Sequence, residues 1–146
     1  MADEKQEANL QTDFIDILPV LSCSDIAAEH DFLVRVLGVA SGGLERAPDG
    51  TVVHGEVRAG GRRIWLHLTS EDAKLATPAT LGAASGGIVV HVKDVDAHFE
   101  AARRAGATIL SEPTDQDYGQ REYGVRDPDG HNWWIATPTA APAMSV

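Results

Sequence analysis

The stretch GVRDPDGHNWWIATP, residues 124–138, decides the reading of this chain. Asp127-Pro128-Asp129-Gly130 is turn chemistry, and the run after it has the composition of a strand. Side chains along a strand point alternately to its two faces, so Trp133 and Trp134 must point opposite ways. One indole fits an ordinary core. The other needs a second apolar place: a partner chain, a second sheet or a ligand pocket.

The same hairpin pattern occurs earlier. VRAGGRRIW, residues 57–65, lies over VRDPDGHNWW, residues 125–134, with one residue fewer in the turn. Upstream, SDIAAEHDFLVRVLG (24–38) matches KDVDAHFEAARRAG (93–106). Each reads as a helix with a polar cap at its start and a glycine at its end, Ser24 or Asp25 to Gly38 and Asp94 to Gly106. Strands precede both, around residues 16–24 and 87–93. Further strands follow near Leu44 and over 52–58 and 62–70 in the first half, and over 108–113, 120–126 and 132–138 in the second. The order strand, helix, strand, strand, strand is thus read twice. Residues 71–85 are polar, small and Gly-rich and read as the linker between a module at about 14–70 and one at 86–138. Residues 1–13 and 139–146 lack periodicity and read as disordered tails.

Bulk composition narrows the function classes. The chain has 146 residues, 43% of them hydrophobic, enough for one domain with a real core. The net charge of −10 argues against nucleic acid, which needs a basic patch, and against an anionic membrane surface. No apolar run approaches a membrane span, and the acidic N-terminus resembles no targeting peptide, so a cytoplasmic protein is expected. The one cysteine, Cys23, lies in an apolar strand and reads as a small buried side chain.

Two such halves, with DYGQREYGVRDPDGHNWW at residues 117–134, resemble the glyoxalase/bleomycin resistance protein/dioxygenase family, also called the vicinal oxygen chelate superfamily. The resemblance covers residues 14–138. It implies an α+β fold of two βαβββ modules whose curved mixed sheets enclose a cavity, with helices on the outer faces. It also implies a homodimer. Metal-dependent members carry one ligand on the first and one on the last strand of each module. Those positions fall at Leu18, Trp65, Gly87 and Trp134. None can chelate a divalent cation: leucine and glycine lack a donor atom, and the indole nitrogen only donates a proton. The resemblance therefore points to the metal-free members, which bind small organic molecules, and no cofactor is expected.

Strand alternation assigns the faces independently. Trp65 shares a face with Arg63 and His67, while Ile64 and Leu66 face a helix. Trp134 shares a face with Asn132 and Ala136, leaving Trp133 and Ile135 for the core. On the first strand Ile17, Pro19 and Leu21 turn toward a helix. Val89 and His91 point inward, as do His54, Glu56 and Arg58, with Val53 and Val57 outside. Glu122 follows by overlay on His54, with Gly124 and Arg126. Tyr118 and Arg121 sit in a loop that can cover the mouth. The expected ligand site is Trp65, Trp134, His54, Glu56, His67, His91, Glu122 and Tyr118. Flat apolar walls with a few polar anchors suit a planar or aromatic molecule. The runner-up is an enzyme of the same fold, a lyase or isomerase. It would use either a displaced metal at His54, Glu56, His67 and His91 or a general base, Glu122 or His91. His30 and His98 read as surface residues, His131 as a support of the hairpin, and the Asp-Pro-Asp-Gly residues as turn formers alone.

Overall fold

The structure, a computed structural model, describes residues 13–139. The two tails read from the sequence lie outside the described residues apart from Asp13 and Thr139. The first module contains β1 (Val20–Cys23), α1 (Ile26–Arg35), β2 (Ala40–Arg46), β3 (Val52–Ala59) and β4 (Arg62–Leu68). A short helix, α2 (Pro78–Leu81), lies in the linker. The second module contains β5 (Gly87–His91), α3 (Val95–Arg104), β6 (Thr108–Asp115), β7 (Gln120–Arg126) and β8 (Asn132–Pro138). The sheets run β1-β4-β3-β2 and β5-β8-β7-β6. In each, the first strand is parallel to the last and the remaining neighbours are antiparallel. The α+β class and the paired βαβββ modules stand as read. No helix is long and apolar enough to cross a membrane.

The helices begin where their caps dictate. The Asp25 carboxylate accepts from the Ala28 N–H at 3.0 Å, and Asp94 accepts from Ala97 at 3.0 Å. The β3–β4 hairpin turns through Gly60 and Gly61, both at positive φ, as a two-residue turn matched to strand twist requires. The helices α1 and α3 each pack on one face of the sheet of their own module. Leu21, Ile26, Leu33, Val57 and Leu66 of the first module join Val95, Phe99, Tyr123, Trp133 and Ile135 of the second in one continuous buried cluster. Every sheet therefore has a covered face and an open face.

Three polar links fasten module to module. Asp129 accepts from both the backbone N–H of Ser24, at 3.2 Å, and its hydroxyl, at 2.6 Å. His131 Nε2 donates to the Ser22 carbonyl at 2.8 Å. His98 Nε2 donates to the Leu37 carbonyl at 2.7 Å, which leaves its Nδ1 to accept from the Tyr123 hydroxyl at 2.7 Å. The Asp-Pro-Asp-Gly turn thus does more than reverse the chain, contrary to the sequence reading. His98 is half-buried and His30 is buried against the Ser41 hydroxyl, at 2.7 Å, so neither is a surface residue.

The strand readings need three corrections. Residues 16–19 are not strand: Pro19 has no N–H for the ladder, and β1 starts behind it. Ile17 is 82% exposed and lies under no helix. Val53 is exposed while Val52 packs on the core, because the β2–β3 register shifts between Glu45 and Arg46. Arg121 belongs to β7, not to a loop, and points to Asp96 of α3, at 3.0 Å.

Candidate functional site

The open face of the first sheet is built around Trp65. Register sets it beside Val20 of β1 and Glu56 of β3. Its ring lies 5.3 Å from that of His54 and 6.0 Å from that of His67, and the two imidazoles are 5.0 Å apart. The indole Nε1 donates to Glu56 Oε1 at 3.1 Å. Glu56 also accepts from Arg58 Nε at 2.8 Å, and Arg63 Nη1 stands 4.0 Å away. The bonded Arg58 guanidinium holds the Glu56 carboxyl below the usual carboxylate range. Gly42 leaves room for this carboxylate, since a Cβ there would fall 2.7 Å from Glu56 Cγ.

The open face of the second sheet is built around Trp134. Its neighbours across the ladder are Val89 and Gly124, while Glu122 and His91 both pair with Ala136. Glu122 is only 9% exposed. It accepts from the Tyr118 hydroxyl and from Gln120 Nε2, the latter at 2.6 Å. The Gln120 side-chain amide oxygen in turn accepts from His91 Nε2 at 3.1 Å. A hydrogen-bond chain thus runs from His91 through Gln120 to Glu122, with Tyr118 on the far side. The bond to Glu122 pushes the Tyr118 phenol up to about 12. Gln120 is not among the site residues expected from the sequence, although alternation along β7 places it on the same face as Glu122.

The eight expected residues therefore form two groups of four, one with each sheet, Tyr118 joining the second from the β6–β7 turn. Among the described residues no hydrogen bond or ring contact joins the groups within the chain. None of the three main pockets holds either Trp65 or Trp134. The largest, about 720 Å³, is a groove between residues 14–19, the β3–β4 hairpin and β5. Phe14, Ile15, Ile17 and Val89 give it apolar walls, Arg62 and Arg63 a basic edge, and His91 belongs to its lining.

The four positions where related enzymes hold a metal do not fit one here. The indole of Trp134 occupies the space directly above Gly87. The only polar side-chain atom of Trp65 is already committed as a donor to Glu56. Nor does the displaced set assemble. Among the described residues no three His, Cys, Asp or Glu side chains gather as a metal-binding group, and His91 belongs to the other sheet from His54, Glu56 and His67.

Residues 17–135 match the profile of the Glyoxalase/Bleomycin resistance protein/Dioxygenase superfamily. An uncharacterized protein of Mycobacterium bovis is 35% identical over 123 residues, 82% of this chain and 81% of its own length. An uncharacterized protein of Mycobacterium tuberculosis is equally similar, over 72% of its length. Among solved structures, TioX from Micromonospora sp. ML1 superposes with a TM-score of 0.67 at 32% identity, covering 86% of this chain and 99% of that one. TnmS3, an antibiotic binding protein from Streptomyces sp. CB03234, superposes with a TM-score of 0.64 at 20% identity, covering 86% and 97%.

Proposed function

The chain belongs to the glyoxalase/bleomycin resistance protein/dioxygenase superfamily, and we propose that within it this protein binds a small, planar or aromatic organic molecule without a metal. Sequestration or resistance is the role that fits such binding. The observation that carries this reading is the indole of Trp134 seated over Gly87, where a related enzyme would place two metal ligands. A half-buried indole on an open sheet face offers stacking area to a flat ligand. The likeness in fold to an antibiotic binding protein supports the same class of function.

The two half-sites are completed by pairing of two chains, the first sheet of one protomer facing the second sheet of its partner, in a cytoplasmic homodimer. The exposed apolar residues Phe14, Ile15, Ile17 and Val89 support pairing, since a lone soluble chain rarely leaves such residues clustered in water.

A second reading is favoured by the His91–Gln120–Glu122 chain. It makes the protein a metal-free lyase or isomerase with Glu122 as general base. Binding without turnover separates the first reading from this one.

Tryptophan fluorescence against a panel of planar aromatic natural products tests the proposal. Saturable quenching that is weakened in Trp65→Phe and in Trp134→Phe is the expected result. Silence toward the whole panel, with stoichiometric quenching by zinc or nickel instead, would overturn it.

A further inference from the structure

The two open faces look alike in composition but differ in charge balance. Each sets one carboxylate near one indole. Glu56 is matched: Arg58 bonds it at 2.8 Å, Arg63 stands at 4.0 Å, and the Trp65 N–H adds a third donor. Glu122 is not. It is 9% exposed, and its two bonded donors, the Tyr118 hydroxyl and the Gln120 amide, are both neutral. Among the described residues no lysine, arginine or histidine nitrogen lies within 4.0 Å of it.

Alternation explains why. Arg121 is the next residue in the chain, but it points to the other face of β7 and is held by Asp96 and Asp115. Arg126 shares the face of Glu122 but lies four residues along the strand and bonds Asn132. His91 reaches Glu122 only through Gln120. Glu122 is therefore withdrawn from water with neutral partners alone, and no cation of the described chain lies against it. Trp134 is its diagonal neighbour across the ladder, and an indole face also attracts a cation.

We infer that the ligand of this site is a planar aromatic molecule carrying a protonated nitrogen, and that this cationic nitrogen docks at Glu122 and Trp134 rather than at Glu56. This rests on the planar-ligand reading above and adds the sign and position of the ligand's charge. The arginine-matched Glu56 face takes the uncharged part of the ring system, stacked on Trp65. Glu122 is then the residue that selects for charge.

Two acridines of nearly the same shape test this at neutral pH: proflavine, a cation, and unsubstituted acridine, which is neutral. Calorimetric titration of the full chain is expected to give proflavine an affinity at least about tenfold higher, about 1.4 kcal/mol. Glu122→Gln keeps the side-chain shape and is expected to erase that preference, by lowering the affinity for proflavine toward that for acridine. Glu56→Gln is expected to preserve it. Equal affinities in the wild type, or a preference that survives Glu122→Gln, would overturn the inference while leaving the planar-ligand reading intact. Binding of neither probe would sink that reading and this inference with it. The wild-type comparison needs no variant, so the inference stays refutable even if Glu122→Gln fails to fold.

Discussion

Gly87, at the start of β5, lies directly beneath the indole of Trp134 in β8. A Cβ built on Gly87 would stand 3.1 Å from Cη2 of that ring and 2.7 Å from the backbone carbonyl oxygen of Asn132. The glycine and the indole are therefore a matched pair, and the second contact involves backbone that cannot swing away. Placing a histidine at Gly87 should therefore create no metal site. Gly87→His is expected to lower stability by about 1–3 kcal/mol through overpacking and to bind no zinc above the wild-type level. Urea unfolding and zinc titration read the two effects. A stable, zinc-binding Gly87→His would show that Trp134 yields readily and does not define the site.

The adjacent tryptophans answer the question their sequence raises. Trp133 is 0% exposed in the shared core, and its Nε1 donates to Asp127 Oδ2 at 2.9 Å. Trp134 is half-buried on the open face. Trp133→Phe removes the donor from a buried carboxylate and is expected to cost about 1–3 kcal/mol. Trp133→Ala should cost about 3–5 kcal/mol. Trp134→Phe should cost less than about 1 kcal/mol. Equal losses at both positions in urea unfolding would contradict the assignment of faces.

This division of faces was legible in the sequence because it depends only on a period of two. Ile64, Leu66, Trp133 and Ile135 are buried as alternation requires. What alternation cannot supply is a partner distant in sequence. His98 has charged neighbours on its helix, yet its ring bridges Tyr123 and Leu37, 25 and 61 residues away. Asp129 looks like a turn residue until Ser24, 105 residues earlier, closes on it. The split of the candidate site into two groups was likewise invisible, because it follows from how the modules pack and not from either strand. The start of β1 was misplaced for a local reason that Pro19 already signalled.

Pairing of two chains is the next expectation. Ile15 is 99% exposed and Ile17 82%, and both line the groove with Val89. Size-exclusion chromatography with light scattering should return twice the chain mass of 15.5 kDa. Ile17→Glu combined with Val89→Glu places carboxylates where the partner would sit and should shift the protein to monomer. The same variant should lose ligand affinity if each pocket spans two chains. A wild-type chain that stays monomeric at high concentration would remove the assembled-pocket part of the proposal.

Glu29 of α1 carries a pH dependence with an unusual sign. It is 0% exposed, and neither carboxylate oxygen has a hydrogen-bond partner. Burial first, and then the nearby carboxylate of Asp127, pushes its carboxyl well above the ordinary value of 4.5. The folded chain therefore keeps this proton while the unfolded chain releases it. Across that window the native state binds more protons, so this group makes stability fall as pH rises. Asp16 and Glu56 are shifted the other way, by Arg63 and Arg58, and they act only toward low pH. Glu29→Gln removes the titration and keeps the shape. At about pH 8 the variant should exceed the wild type by about 1–3 kcal/mol, the two should converge near about pH 4, and the slope between should flatten. A variant less stable than the wild type at the upper pH would mean that Glu29 is ionised in the fold and held by a partner.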